Sequence, residues 1–281
     1  MLAKMRRVFL TGASTGIGLA TAQVLTRAGC EVWGTSRDVE RLPRDLAGFH
    51  PIALDLCDEG SMRAGFATAL AAAGGRFDVV VNNAGGGWFG PGAQMPAADL
   101  AGQFQLLVLG PIRLMQLALP SLRAQPGGTI INVTSLAARL PLPFAAAYSA
   151  AKAALSVYTA ALQMEETAPM PAGQHRVRLV DLQPGDINTG FNRAMAYWSE
   201  LAAGDDPTAV AVRSSLRASD KSMAGAPPPE RVAQCIREIV FGAGGPLITC
   251  GNAWQAIGGS LAYRLLPRRL LLWTIRKNCG L

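Results

Sequence analysis

The chain is most tightly constrained near its amino terminus. There the apolar run Val8-Phe9-Leu10 leads directly into Thr11-Gly12-Ala13-Ser14-Thr15-Gly16-Ile17-Gly18, and then into Leu19 to Ala28, a stretch of helical composition. Strand, glycine turn and helix in that order leave the backbone few alternatives. Glycine reaches conformations closed to other residues, and its missing side chain lets an anion approach the amides that open the helix, where the dipole favours negative charge. The stretch predicts a pyrophosphate site made by Gly12, Ser14, Gly16, Ile17 and Gly18. Its spacing is G-x-x-x-G-x-G, not the commoner G-x-G-x-x-G.

A second strand, Glu31 to Ser36, ends at Ser36-Arg37. In a dinucleotide fold this end faces the adenosine ribose, where an acid binds the 2′-hydroxyl and an arginine accommodates a 2′-phosphate. No acid stands at Ser36 and Arg37 follows, so the expected cofactor is NADP(H), with Asp38 as the competing partner for Arg37. A third strand, Pro51 to Leu56, closes with Asp55 placed to meet an adenine edge. Ser61 to Ala73 predicts a helix, and Val79-Val80-Val81 a fourth strand running into Asn82-Asn83-Ala84-Gly85-Gly86-Gly87. Strands alternating with helices imply an α/β fold, a Rossmann-type doubly wound parallel sheet covered on both faces. At 281 residues, half of them hydrophobic, the chain can bury one large core, and a single domain is expected.

Composition excludes several alternatives. The net charge of +7 favours anionic partners, yet no basic run, RNA-binding signature or zinc-ligand spacing accompanies it, so nucleic acid is not an expected partner. Cys30, Cys57, Cys235, Cys250 and Cys279 are odd in number, scattered and never in a C-x-x-C, which reads as reduced thiols in a cytoplasmic protein. His50 and His175 stand far apart, so no metal site is expected, and both read as structural or exposed. The first residues reach glycines after only three apolar positions, too few for a signal-peptide core, and no window reads as a membrane-spanning helix.

Reactive side chains gather between Ile130 and Ala154. Thr129 to Val133 has the β-branched density of a buried strand, which leaves Ser135 at its end, and the alanine-rich run from Ala147 predicts a helix. Tyr148 and Lys152 are four apart and share a helix face. A tyrosine ordinarily titrates near about 10, and a cation beside it favours the phenolate and moves it toward the range useful for proton transfer. The Ser135 hydroxyl is placed to bind the oxygen whose proton moves.

Taken together these segments resemble the short-chain dehydrogenases/reductases. The resemblance rests on Thr11-Gly12-x-x-x-Gly16-x-Gly18, Asn82-Asn83-Ala84-Gly85, Ser135 thirteen residues before Tyr148, Tyr148-x-x-x-Lys152, and Pro184-Gly185-Asp186-Ile187-Asn188-Thr189, in the family's order across Met5 to about Gly242. It implies Tyr148 as general acid/base, Ser135 as holder of the substrate oxygen, and Lys152 as the residue that binds the nicotinamide ribose and depresses the tyrosine's pKa. It implies Asn83 along the cofactor and Thr189 on the nicotinamide carboxamide. One departure stands out. Where many members carry asparagine in the helix after the fourth strand, Phe104 to Pro111 puts Leu107. The family's asparagine helps hold a water linking the lysine to solvent; here a backbone carbonyl, Gln103 or Gln105 must substitute, or proton relay is impaired.

The segment from about 190 to 229, holding Phe191, Met195, Tyr197, Trp198 and Leu201, resembles the family's substrate lid. Trp88, Phe89 and Phe144 either extend an apolar cleft or belong to the core. After Glu238 no acid remains, while Arg264, Arg268, Arg269, Arg276 and Lys277 follow, flanking the apolar Leu270 to Ile275. This extension, about 252 to 281, is loosely similar to those of retinoid- and hydroxysteroid-type members. It packs on its own domain or a sister subunit, covers the cleft, or lies peripherally on a membrane. Small residues after Tyr148 (Ala150, Ala153, Ala154, Ala160, Ala161) would let subunits approach closely in a homo-oligomer. Two functions follow: an NADP(H)-dependent oxidoreductase interconverting a lipophilic ketone or aldehyde and its alcohol, or a dinucleotide-binding protein of little activity, acting as sensor or assembly component.

Overall fold

The computed structural model describes residues 5–190, 203–252 and 254–281. Its centre is a seven-stranded, wholly parallel sheet of β1 (Arg7–Leu10), β2 (Glu31–Ser36), β3 (Phe49–Ala53), β4 (Val79–Asn82), β5 (Thr129–Val133), β6 (Arg178–Pro184) and β7 (Leu247–Cys250). The strand order is β3-β2-β1-β4-β5-β6-β7. The chain adds strands outward to one side of β1 and then, from β4, to the other, and in such sheets ligands bind in the crevice beyond the carboxyl ends at that switch point.

Side chains alternate across the pleat, so each strand feeds two cores. Val8 and Leu10 join Val79, Val81, Ile131 and Val180 under α1 (Gly16–Arg27) and the later helix Glu230–Val240. Phe9 faces the other way, with Val80 and Ile130, against α2 (Glu59–Ala72), a long helix over residues 97–123 and the helix Ala146–Glu165. Burial on both faces explains why these strands are apolar at nearly every position.

The long helix runs as α3 (Ala97–Phe104), a π-helical turn (Gln105–Leu109) and α4 (Gly110–Arg123). By length and composition it is apolar enough to span a membrane, contrary to the sequence expectation, but half of its apolar window is buried inside the fold, as a core helix requires. After α5 (Ala146–Glu165) come α6 (Pro207–Ala224), α7 (Glu230–Val240), a π-helical turn (Trp254–Gly259), α8 (Ser260–Leu265) and α9 (Arg268–Asn278).

The third strand departs from expectation by lying two residues earlier, over Phe49–Ala53. It is an edge strand, the place where Pro51, lacking an N–H, is tolerated. Past Ala53 the chain leaves the sheet through a turn in which Asp55 accepts from Cys57 N at 2.8 Å, and Asp58 caps α2 through Ser61 N at 2.6 Å.

Candidate active site

The carboxyl ends of β1, β4, β5 and β6 bring every family-like segment to one edge of the sheet. The glycine turn is locked at the switch point. Thr11 donates its N–H to Val81 O (3.0 Å), and its hydroxyl accepts from the amides of Asn83 and Ala84, each at 3.0 Å. Asn83 returns its side-chain amide to the carbonyls of Thr11 (2.9 Å) and Gly12 (3.2 Å). Gly18 must lack a side chain, since a Cβ there would stand 1.9 Å from Gly12 O. Gly12 has φ +70°, and a Cβ on it would meet Ala84 Cα at 2.7 Å. Gly16, at φ +53°, faces Thr189, whose side chain a Cβ would touch at 3.5 Å, so the two ends of the expected cofactor site close on one another.

These residues fit a dinucleotide phosphate. The α1 amino terminus has no side-chain cap from Thr15 and no acid in its first turn, which leaves its amides for an anion. Ser14, Gly16 and Ile17 are half-buried at its entrance. Arg37 is exposed just past β2; Asp38 spends its carboxylate on Glu40 N (3.1 Å), and among the described residues Arg37 has no ion pair. Asp55 stands beyond the shortened β3, half-buried, on the same edge.

The structure brings Ser135, Tyr148 and Lys152 together. Ser135 follows β5, accepts from Ala137 N at 3.1 Å, and is hydrogen-bonded to the Tyr148 phenol. Lys152, one turn after Tyr148 on α5, is buried; its Nζ donates to Val133 O at 2.8 Å and lies 5.8 Å from the Tyr148 ring centroid. Burial pushes the Tyr148 phenol up to about 12, with the Ser135 hydrogen bond acting against it and the Asp186 charge adding to it. Burial also brings Lys152 down to about 8, opposed by Asp181. Here the sequence expectation needs correcting. The ammonium is engaged by the β5 carbonyl instead of the phenol oxygen, and desolvation governs the tyrosine.

Several supports were not evident in the sequence reading. Asp181, buried in β6, accepts from Ser156 Oγ (2.6 Å) and Gln183 Nε2 (2.8 Å) and from the Thr134 hydroxyl, and its charge favours the Lys152 ammonium. An acid inside the otherwise apolar Leu179 to Leu182 was the available signal. Asp186 is pinned by Gln255, which donates Nε2 to Oδ2 (2.7 Å) and accepts Asp186 N at Oε1 (2.9 Å), and by the Ser222 hydroxyl of α6.

Leu107 is buried in the π-helical turn, packed with Val108 and with Ala151 and Tyr148 of α5. Gln103 accepts from Trp88 N at 2.7 Å and donates to Gly86 O at 3.3 Å, which ties α3 to the glycine turn after β4. Of the cleft aromatics, Phe89 and Phe144 pack with Ala145, Val212 and Leu216 around Tyr148, the Phe89 and Tyr148 ring centroids being 5.6 Å apart. Phe144 has φ +60°, the one non-glycine left-handed residue among the described residues, and such strain persists only where surrounding contacts hold it. Trp88 instead reaches toward Gly102 of α3. Phe191, Met195, Tyr197, Trp198 and Leu201 lie outside the described residues. His50 is structural, bonded to Glu31 at 2.5 Å and stacked on Trp33, and His175 is exposed.

A parallel sheet with a glycine turn at its switch point and a Ser-Tyr-Lys set beside it defines a nicotinamide-dinucleotide oxidoreductase. The chain belongs to the short-chain dehydrogenase/reductase family, the short chain dehydrogenase pattern matching residues 6–200. It is 30% identical over 271 residues to a 3-ketodihydrosphingosine reductase of Bacteroides thetaiotaomicron, covering 96% of each chain. It is 34% identical over 217 residues to an L-fucose dehydrogenase of Mus musculus, covering 74% of this chain and 73% of that one. Among solved structures, a metagenomic short-chain oxidoreductase in complex with NADP superposes with a TM-score of 0.67 at 27% identity, over 89% of this chain and 98% of that one.

Proposed function

We propose that the protein is an NADP(H)-dependent oxidoreductase that interconverts a lipophilic ketone or aldehyde and its alcohol. The observation that carries the reading is the apolar surrounding of the reactive phenol, Phe89, Phe144 and Val212 being packed in one cluster with Tyr148. A wall of aromatic and branched side chains stabilises a hydrocarbon substrate and leaves the hydroxyls of a sugar unpaired. The similarity, over 96% of each chain, to a protein named 3-ketodihydrosphingosine reductase supports the same direction.

In this reading Ser135 holds the substrate oxygen and Tyr148 gives its proton to that oxygen as the carbonyl becomes an alcohol. At neutral pH a phenol near 12 is protonated, which is the form a reduction needs. Lys152 holds the nicotinamide ribose hydroxyls, Thr189 the carboxamide, Asn83 the wall beside them, Gly12 to Gly18 the pyrophosphate and Asp55 the adenine edge. Arg37 takes the 2′-phosphate. The bound dinucleotide supplies the hydride. Val157 and Met164, exposed on α5 beside Ala150 and Ala160, form the face on which a second copy packs in a homo-oligomer, and the free thiols suit a cytoplasmic setting.

The test is steady-state turnover with NADPH and NADH on a series of ketones of rising chain length, with sugars as the polar arm. The reading predicts rising kcat/KM with chain length. It also predicts an NADPH preference that Arg37→Ala lowers by about 10- to 100-fold, the worth of a charge-assisted contact. Sugar oxidation exceeding every ketone, or an Arg37→Ala protein with unchanged NADPH affinity, would overturn the corresponding half.

A further inference from the structure

The C-terminal extension carries an unusual surface. Among the described residues, Ile257, Leu261, Leu265, Leu270, Leu272 and Trp273 are all exposed, Ile257 and Leu265 at 69% and Trp273 at 56%. Only Leu271 of α9 is buried. Ile257, Leu261 and Leu265 recur every four residues, and on α9 Arg269, Leu272, Trp273 and Arg276 share one helix face. Arg264, Arg268, Arg269, Arg276 and Lys277 are exposed too, and no acid occurs after Glu238.

We infer that this face is a docking surface for an anionic lipid bilayer, on which α8 and α9 lie in the interfacial plane. Apolar side chains bordered by cations are the arrangement such helices use, the former entering the acyl boundary and the latter meeting the headgroups. Charge decides against the other occupants. A two-fold contact with a second copy would set the same patch against itself, cation facing cation. The segment 191–202 of this chain, with Arg193 and Glu200, has no net charge to match it.

The surface adjoins the site. Gln255, at the start of the extension, holds Asp186. Arg139, four residues after Ser135, lies over the Tyr263 ring at 5.9 Å from its centroid, and Gly280 packs so closely on α6 that a Cβ would stand 2.9 Å from Ser214 O. A docked extension therefore sets the cleft at the bilayer surface, where a membrane-dissolved substrate is concentrated. This last consequence alone rests on the lipophilic-substrate reading.

The experiment is co-sedimentation of the full chain with phosphatidylcholine vesicles, with and without phosphatidylglycerol, in the absence of nucleotide and substrate. Binding is expected to the anionic vesicles, to fall as salt is raised, and to weaken at least tenfold in Arg269→Glu/Arg276→Glu, at about 1 kcal/mol per charge near the surface. Trp273→Ser should weaken it as well, with circular dichroism and NADPH affinity unchanged in both variants. Equal binding to both vesicle types, or to neither, overturns the inference. So does a dimer in sedimentation velocity that Trp273→Ser splits, which would give the face to a second copy. Vesicle binding is read without turnover, so its failure is distinct from failure of the reductase reading.

Discussion

The sheet edge around Tyr148 and the C-terminal extension solve opposite problems. At the edge, Lys152 and Asp181 are taken out of water and, with the half-buried Asp186, are tied to neighbours: Lys152 to Val133, Asp181 to Thr134, Ser156 and Gln183, Asp186 to Gln255 and Ser222. In the extension, apolar side chains stay in water beside cations that lack acidic neighbours in the sequence. Burial at the first region moves pKa values and fixes geometry at a cost in stability. Exposed side chains at the second contribute little to stability, and under the docking proposal they serve a lipid surface. Substitutions at the exposed positions of the extension should therefore fail differently from those at the buried set.

The largest contrast is expected at Lys152. Lys152→Met should lower turnover by about 100- to 10,000-fold, the range for groups that assist proton transfer. Yet it should raise the urea midpoint at pH 7. The sign follows from its pKa, which the fold lowers from 10.5 to about 8. Below that value the folded protein must keep a buried ammonium. Between the two values only the unfolded chain holds the proton, so wild-type stability rises with pH through this window. After the loss of the Val133 hydrogen bond, the gain from Lys152→Met at pH 7 is about 1–3 kcal/mol, and it should shrink toward pH 10.5. A variant less stable at pH 7 would break the contrast.

Gly18→Ala comes next. Its Cβ has no room beside Gly12 O and Asn83 Nδ2, so the turn must shift, costing about 1–3 kcal/mol in thermal or urea unfolding together with nucleotide affinity in a titration. Asp181→Asn should have a smaller effect, removing the charge that supports the Lys152 ammonium. The alkaline limb of the pH–rate profile should then move to lower pH. Trp273→Ser should be smallest of all, changing unfolding free energy by less than about 0.5 kcal/mol despite removing a large aromatic side chain. A larger loss would mean that the extension is part of the core.

What could be read from the sequence was local. The glycine turn, β2 and β5 follow from short-range pattern, and β5 and β2 have the expected ends. β3 was displaced because edge position, which makes Pro51 acceptable, is set by the order of the whole sheet. Tyr148 and Lys152 were visible because helical spacing alone puts them on one face. The direction of the tyrosine's shift was not, since it depends on how deeply α5 packs and on which atom Lys152 reaches. The Asp186–Gln255 pairing spans 69 residues and left no local trace. Cys235 and Cys250 likewise read as unrelated, yet α7 and β7 bring their sulfurs within 2.6 Å.

The proposed reaction runs through the Tyr148 proton of the buried Ser-Tyr-Lys set. Its most direct test is Tyr148→Phe, assayed for NADPH binding and for ketone reduction in the same preparation. The account predicts unchanged nucleotide affinity and at least a 100-fold loss of turnover, the lower bound for a positioned general acid. Turnover by Tyr148→Phe at the wild-type rate would contradict it.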